Sequence, residues 1–195
     1  SAASDVYKRQ TLSGGFAALG GLSLAVGVAV AEALRELEPA LPIALKWPND
    51  LYLQGKKVGG VLLETVNLPG NDFAVVIGVG LNVASHPDPA LLHRPVTCIS
   101  KHTDRSVDLP MVAAVVSAAL VDMCRLSDAA LRARLISSWP SRDILLNQSV
   151  AVPALGEGLG IARGLSHDGG LQVEFAGKIR TVYAGEVSLG HVDTQ

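Results

Sequence analysis

A stiff polar corner between two short apolar runs is the feature that most constrains the fold of this chain. The corner has the sequence K-W-P-N-D at residues 46–50, and the runs I-A-L and L-Y-L flank it. Pro48 fixes its own φ and restricts Trp47 to extended conformations, while Asn and Asp side chains bond to turn backbone. The pattern therefore predicts two strands, at residues 43–47 and 51–54, joined by a rigid turn.

A lysine beside two glycines follows the corner. Lys57 leads into a third predicted strand, residues 58–66, which begins with Val58, Gly59 and Gly60. Adjacent glycines remove side chains, so a ligand can lie against the backbone. Lys46 and Lys57 can then converge on a negatively charged ligand, and the segment predicts an anion-binding site.

Each polar residue of the corner also has a purely structural interpretation. Asp50 offers a hard oxygen ligand for Mg²⁺, but Lys46 could instead form a salt bridge with it. Asn49 and Asp50 could serve only to clamp the turn, and Trp47 is interpreted as a core residue. The sequence leaves these alternatives open.

A continuous apolar run at residues 73–83 predicts a strand buried on both faces. Gly78 and Gly80 lie near its end and Asn82 follows them, where loops of α/β folds meet ligands. An asparagine amide suits an adenine edge because it both donates and accepts. The alternative is that Asn82 only caps the strand.

Three helices are predicted. Residues 110–125 and 127–139 have helical periodicity, with Asp108 and Ser127 as N-caps. The uncharged stretch at residues 11–31 could be a membrane or export segment. Its glycines and alcohols instead favour a core helix at residues 17–37.

The character of the sequence changes near Asn147. Beyond it, short apolar segments alternate with glycine-containing turns, among them Asp168-Gly169, as in a small five-stranded SH3-like barrel. The predicted strands are residues 150–152, 160–165, 171–175, 179–184 and 186–189.

Several motifs together resemble one family. K-W-P-N-D at 46–50, K-V-G-G-V-L at 57–62, G-V-G-L-N-V at 78–83 and G-E-V-S-L at 185–189 closely match the signature of biotin protein ligases, in the family's order. The resemblance covers roughly residues 16–190. It implies an α/β (α+β-like) fold, with a mixed β-sheet packed on helices and a small SH3-like β-barrel after it.

This resemblance also implies domain limits. Residues 1–10 fit nothing that follows and are interpreted as a non-native leader. Residues 11–147 are then a partial biotin ligase catalytic domain, and residues 148–195 an SH3-like domain.

The implied reaction converts biotin and MgATP to biotinyl-5′-AMP, and then transfers biotin to a lysine of biotin carboxyl carrier protein. The resemblance assigns Lys57 to the biotin carboxylate and the α-phosphate, with Lys46 and Asp50 at the phosphates and Mg²⁺. It assigns Asn82 to adenine and Glu186 to the nucleotide, although Glu186 could equally be a surface carboxylate. The candidate site residues are Lys46, Asn49, Asp50, Lys57, Gly59, Gly60, Val61, Gly78, Gly80, Asn82 and Glu186, with the biotin rings expected against Gly59, Gly60 and Val61.

ATP with Mg²⁺ and biotin are therefore expected as substrates, with no permanently bound cofactor. The expected protein partner is the carrier protein of acetyl-CoA carboxylase, and a homodimer is left open. A net charge of −2 and a pI near 6.2 argue against a large nucleic-acid surface. Cys98 and Cys124 are interpreted as buried reduced thiols of a cytoplasmic protein without a membrane segment.

The sequence departs from the family upstream. Relatives carry a Ser/Thr-Asn motif and a G-R-G-R-R-G loop before the first helix, and some have an arginine where Gly190 stands. Nothing in residues 1–15 matches that motif or loop, and no DNA-binding domain is recognised in this chain. The chain is therefore expected to hold less than the full site and to expose core surface. The alternatives are a lipoate or octanoate ligase of the same superfamily, and an inactive fragment that only binds carrier protein.

Overall fold

Two antiparallel sheets and a layer of helices form the protein. The computed structural model describes residues 8–11, 17–69, 73–92, 94–156 and 158–190. The strands of the first sheet lie in the order β1-β5-β4-β3-β2. They are β1 Lys8–Thr11, β2 Ala44–Lys46, β3 Asp50–Leu53, β4 Lys56–Asn67 and β5 Phe73–Leu81.

Every strand pair in this sheet is antiparallel. Parallel pairing, expected for a mixed sheet, is limited in the described residues to two single bridges, Leu45 with Asp143 and Lys57 with Val96. The predicted hairpin around residues 46–50 is present as β2 and β3. The α/β (α+β-like) fold is confirmed.

The strand β5 differs from its prediction. It was expected to be buried on both faces, but its burial alternates: Val75, Ile77, Val79 and Leu81 are buried, while Val76, Gly78 and Gly80 are half-buried. In the described part of the chain the helices pack on one face of the sheet, and the half-buried positions of β5, with both of its glycines, lie on the other face. A continuous apolar run therefore predicted the strand correctly and its outer face wrongly.

The helices are α1 Ala17–Leu37, α2 Pro89–Leu92, α3 Leu109–Met123 and α4 Asp128–Ser138. Leu24, Val28 and Leu34 of α1 are buried, and Gly27 faces Leu45 of β2 closely enough that an added Cβ would lie 3.4 Å from its Cδ2. The helix therefore forms the core layer beneath the sheet. Within the described residues, no helix is long and apolar enough to cross a bilayer.

Both predicted N-caps are confirmed. Asp108 Oδ1 accepts from the backbone N–H of Met111 at 2.9 Å, and Ser127 Oγ accepts from that of Ala130 at 3.3 Å. Each bond satisfies an N–H that has no partner within its helix. These caps fix where α3 and α4 begin.

The second sheet follows, with strand order β10-β6-β7-β8-β9. Its strands are β6 Ser149–Ala151, β7 Leu159–Leu165, β8 Leu171–Phe175, β9 Lys178–Val182 and β10 Ser188–Leu189. Buried residues alternate along β6, β7 and β8, as in β8, where Leu171, Val173 and Phe175 are buried. Five short strands thus occur where the sequence predicted them.

The structure differs from the sequence analysis in the burial of one cysteine and in the pairing of residues 8–10. Cys98 is buried as predicted, but Cys124 is only half-buried, because it lies just after the end of α3. Residues 8–10 of the segment interpreted as a leader pair with β5, whereas residues 1–7 lie outside the described part of the chain.

Candidate functional site

The turn between β2 and β3 is held from two sides. Asn49 Nδ2 donates to the carbonyl of Val61 at 2.9 Å, and Val61 N–H donates back to the carbonyl of Asn49 at 2.8 Å. Ser23 Oγ of α1 donates to the carbonyl of Pro48 at 3.2 Å, and the Trp47–Pro48 peptide bond is cis. The structure thus gives Asn49 the clamping role that the sequence left open.

Lys57 lies over the corner and forms an ion pair with Asp50. Both side chains are mostly covered, with 20% and 15% of their surfaces exposed. Tyr52 pairs with Lys57 across an irregular register that re-aims the strand. The salt bridge considered between Lys46 and Asp50 is therefore replaced by one from Lys57.

The two neighbouring glycines of β4 have different surroundings. A Cβ at Gly59 would lie 2.3 Å from the carbonyl oxygen of Gly80, so Gly59 permits close packing of β4 on β5. A Cβ at Gly60 would lie 3.4 Å from Asp50 Oδ1 and 3.6 Å from Lys57 Nζ. Only Gly60 borders the ion pair.

The strand register brings other candidates to the same face. Lys46 lies opposite Asp50, Asp50 opposite Gly60, and Gly60 opposite Gly80. Within the described residues, a Cβ at Gly80 would meet nothing within 4 Å. Directly opposed residues of antiparallel strands share a face, so these residues form one row, called here the open-face row.

Val61 is not part of this row. Its side chain is 3% exposed and lies in the core cluster. Gly78 lies on the open face opposite Leu62, whose side chain is exposed. The open face therefore presents backbone at Gly60, Gly78 and Gly80, but not the Val61 side chain.

Lys46 is surrounded by charges of both signs. Burial lowers its pKa, and the positive charges of Lys57 and Arg94 lower it further. The carboxylates of Asp50 and Glu186 act in the opposite direction without cancelling the effect. Glu186 comes from the second sheet region, and its charge acts on Lys46; its role at the nucleotide stays a prediction. The lowered pKa of Lys46 therefore reflects mainly its burial, which the two carboxylates do not offset.

Arg94 is a site residue that the sequence analysis missed. It precedes Pro95, whose carbonyl accepts from Lys57 N–H at 3.0 Å, and its charge acts on Lys46 and Tyr52. Burial, then Asp50, raises the pKa of Tyr52, and Arg94 opposes this. Arg94 is exposed and forms no ion pair with the described part of the chain. The segment around Arg94 has no sequence periodicity that could have revealed its position near Lys46 and Tyr52.

Asn82 is committed to backbone contacts. Its Nδ2 donates to the carbonyl of Thr97 at 3.0 Å, and its own carbonyl accepts from Ile99 N–H at 2.9 Å. Thr97 N–H in turn donates to the carbonyl of Lys57 at 2.9 Å. Asn82 therefore holds the segment that borders Lys57, a structural role that the sequence analysis did not consider; its role at adenine stays a prediction.

Beside that segment, Thr97 Oγ1 lies 2.7 Å from His102 Nε2. Burial lowers the pKa of His102, and the charges of Lys56 and Lys101 add to the effect. The neutral imidazole is favoured, and it can share a hydrogen bond with the buried Thr97 hydroxyl.

Trp47 connects the corner to the second sheet. Its side chain is 2% exposed, as a core residue should be, and its Nε1 donates to the carbonyl of Gly169 at 3.1 Å. Gly169 lies in the turn between β7 and β8. Leaving that buried carbonyl without a donor would cost about 1–3 kcal/mol.

No group of three or more His, Cys, Asp or Glu side chains in the described ranges could hold a metal ion. Asp50 is the carboxylate nearest to Lys57. One carboxylate together with phosphate oxygens and water is a common environment for Mg²⁺. The residues present thus fit a Mg²⁺ ion that arrives with a phosphate ligand.

Comparisons with known proteins identify the family of both parts of the chain. Residues 12–82 match the Biotin/lipoate A/B protein ligase family, and residues 145–190 match the Biotin protein ligase C terminal domain. Neither match includes residues 1–10, whose interpretation as a leader stays a prediction.

Among curated relatives, the chain is 34% identical over 180 residues to the bifunctional ligase/repressor BirA of Escherichia coli (strain K12), covering 91% of this chain and 56% of the relative. It is 29% identical over 182 residues to the biotin–[acetyl-CoA-carboxylase] ligase of Paracoccus denitrificans, covering 91% and 76%. The chain thus spans little more than half the length of the BirA relative.

The crystal structure of biotin protein ligase from Aquifex aeolicus superposes with a TM-score of 0.70 at 30% identity, covering 95% of this chain and 83% of that one. A structure of the same enzyme in complex with biotin and ATP gives a TM-score of 0.66, covering 95% and 78%. With both matched domains in order and this shared architecture, the chain belongs to the biotin protein ligase family.

Proposed function

We propose that this protein activates biotin with ATP and transfers it to a lysine of biotin carboxyl carrier protein. The observation that carries the proposal is the open-face row of Lys46, Asp50, Gly60 and Gly80, which lies beside Lys57. The chain that contains this row is similar in structure to a biotin protein ligase. Cationic side chains beside bare backbone suit a reaction that brings two anions together.

In the first step, a carboxylate oxygen of biotin bonds to the α-phosphorus of ATP, and the bond to the β-phosphate oxygen breaks. Pyrophosphate leaves with the electron pair, and biotinyl-5′-AMP forms. Lys57 is proposed to bind both the carboxylate and the α-phosphate, which lowers their repulsion and stabilises the negative charge that develops.

Lys46 and Arg94 are proposed to bind the departing pyrophosphate. Lys46 is partly buried beside Lys57 and Arg94, and Arg94 has no ion-pair partner in the described residues. Mg²⁺ bound to the phosphates would neutralise charge there, and Asp50 is the residue that would hold it. In the second step the carrier lysine amine bonds to the acyl carbon, loses a proton and displaces AMP.

The position proposed for biotin differs in detail from the one expected from the sequence. Gly59 is packed against β5 and the Val61 side chain lies in the core. Gly60, Gly78 and Gly80 are therefore the positions proposed to lie against the ligand. Asn82 is proposed to act on adenine only through the segment that it holds. A homodimer stays a prediction.

A lipoate or octanoate ligase is the second candidate, because the family matched by residues 12–82 includes lipoate ligases by its description. The match of residues 145–190 to the biotin protein ligase C-terminal domain favours biotin. The third candidate is a fragment that binds carrier protein without activity.

The proposal is tested by pyrophosphate release from MgATP, with biotin or with lipoate as the acid. We expect pyrophosphate release with biotin. The rate of release should fall at least about a hundredfold in Lys57→Ala, because the ammonium charge that binds both reacting groups is removed. Lys56→Ala is the matched control, because Lys56 is exposed on the same strand, and it should retain activity.

Release with lipoate but not biotin would replace the proposal with the second candidate. Carrier-protein binding without release from either acid would support the third candidate. Undiminished activity in Lys57→Ala would remove Lys57 from its proposed role.

A further inference from the structure

The turn between β7 and β8 touches the catalytic corner although it belongs to the other sheet. Trp47 Nε1 donates to the carbonyl of Gly169, 122 residues away, and this bond is buried. Trp47 directly follows Lys46 in the chain. The turn at residues 166–170, called here the docking turn, therefore contacts the corner one residue from a proposed phosphate-binding group.

Its own hydrogen bonds hold the docking turn in one shape. Ser166 N–H donates to the carbonyl of Gly170 at 2.8 Å, and Gly170 N–H donates to Ser166 Oγ at 3.0 Å. Ser166 Oγ donates to Asp168 Oδ1 at 2.5 Å, and Tyr183 OH donates to Asp168 Oδ2 at 2.9 Å. A Cβ at Gly170 would lie 2.5 Å from Thr181 Cγ2, so the backbone there is closely packed.

The rest of the docking turn lies on the helices of the first domain. His167 and Asp168 line the same cleft as Leu22 of α1 and Leu131 of α4. Gly169, by contrast, is buried with its carbonyl on Trp47. A turn braced in this way can fix the position of the indole, because a hydrogen bond to a rigid acceptor restricts both partners.

Among the described residues, the other side-chain bonds of the corner are those of Ser23 to Pro48, Asn49 to Val61 and Lys57 to Asp50. All three lie after Trp47 in the sequence. The indole bond is thus the side-chain bond nearest to Lys46 along the chain, and it comes from the second sheet region.

We infer that the docking turn is a positioning element for the corner, through which the second domain sets the orientation of Lys46 and the backbone of residues 46–50. Trp47 acts through its neighbours and is not placed on the substrate. The consequence for nucleotide binding rests on the proposed function, whereas the consequence for corner order does not.

The first experiment compares amide hydrogen exchange in the unaltered chain and in Trp47→Phe, which keeps an aromatic ring but removes the donor. We expect exchange at residues 46–50 and 166–170 to accelerate about tenfold, with β5 unchanged, because only the tether is lost. Trp139→Phe is the matched control, since Trp139 is also 2% exposed but does not bond to the docking turn.

A second variant guards against poor folding of Trp47→Phe. Ser166→Ala removes the hydroxyl that braces the docking turn and leaves Trp47 intact, so exchange at residues 46–50 should rise in the same direction by a smaller factor. Unchanged exchange at the corner in both variants would overturn the inference. So would an equal increase over the whole chain, because that reports general destabilisation.

Calorimetry with MgATP then connects positioning to function. We expect about tenfold weaker binding in Trp47→Phe, in line with the loss of one buried hydrogen bond. Absence of MgATP binding by the unaltered chain would count against the proposed function alone, since the exchange experiment decides the inference independently. Equal MgATP affinity in both proteins, with a loosened corner, would overturn its nucleotide-binding part.

Discussion

The two faces of the first sheet use neighbouring residues of the same strands for opposite purposes. On the helix side, four mutually opposed positions form a packed row: Leu45, Leu51, Gly59 and Leu81. One residue along each strand, the open-face row carries charge and bare backbone: Lys46, Asp50, Gly60 and Gly80. The alternation of a strand thus separates stability from binding within one step of the chain.

The glycine pair of β4 makes this comparison sharpest. Gly59 belongs to the packed row and Gly60 to the open-face row, so their substitutions should have different consequences. Four experiments test this difference, beginning with the largest expected effect.

Gly59→Ala should destabilise the protein most. Its Cβ would lie 2.3 Å from the carbonyl oxygen of Gly80 and 2.7 Å from Leu81 Cδ2, so β4 and β5 must separate. We expect a loss of about 3 kcal/mol in the free energy of unfolding, measured by urea denaturation. Gly80→Ala is the control, with a change within about 0.5 kcal/mol because its Cβ would enter open space. Similar losses in both variants would contradict the separation of the two rows.

Gly60→Ala should affect binding more than stability. The added methyl would lie in ordinary van der Waals contact with Asp50 Oδ1 and Lys57 Nζ, at 3.4 and 3.6 Å, and would occupy the space beside the ion pair where the ligand is proposed to lie. We expect about tenfold weaker MgATP binding by calorimetry, or about 1.4 kcal/mol. The free energy of unfolding should change by less than about 1 kcal/mol. A variant that unfolds readily yet binds normally would assign Gly60 to the packed row.

Arg94→Gln should have a smaller effect that depends on salt. Arg94 is exposed, so its attraction to phosphates is screened, and we expect MgATP affinity to fall about threefold at low salt. The difference from the unaltered protein should shrink at about 0.5 M salt. Arg125→Gln is the control, because Arg125 is an exposed arginine paired with Asp122 beside the end of α3. An equal effect of both substitutions would indicate only a change in net charge.

The smallest expected effect is a fraction of a proton taken up on binding. Burial lowers the pKa of Lys46, and a bound phosphate should raise it again, so binding at a pH between the two values takes up protons. Affinity should accordingly weaken as the pH rises through the lower value. Calorimetry in two buffers of different ionisation enthalpy, over a series of alkaline pH values below the usual pKa of lysine, measures the uptake. Lys46→Arg should abolish it, since arginine stays protonated there, and persistent uptake would assign the proton to another group.

Local pattern was sufficient to predict much of this molecule. The hairpin at residues 46–50, the caps Asp108 and Ser127 and the short strands after Asn147 follow from turn chemistry and periodicity. These signals act between residues that are close in sequence, so a single amino-acid sequence is sufficient to detect them.

The remaining features depend on how distant segments meet. Asp50 pairs with Lys57 and not Lys46 because of the irregular register between β3 and β4. Arg94 reaches the site through a segment joined to Lys57 by a single bridge. The bond from Trp47 to Gly169 joins two sheets. None of these pairings leaves a periodic trace in the sequence, and only the register assigns Gly59 and Gly60 to different faces.

The ion pair between Asp50 and Lys57 has a consequence for selectivity. Asp50 already neutralises the Lys57 ammonium group, so a small carboxylic acid such as acetate would only exchange one carboxylate for another. A ligand gains free energy there only if it also supplies a cation to Asp50 in place of Lys57. A polyanion bound to a divalent cation does so. The ion pair therefore selects against small monoanionic acids and in favour of a phosphate ligand that brings a divalent cation.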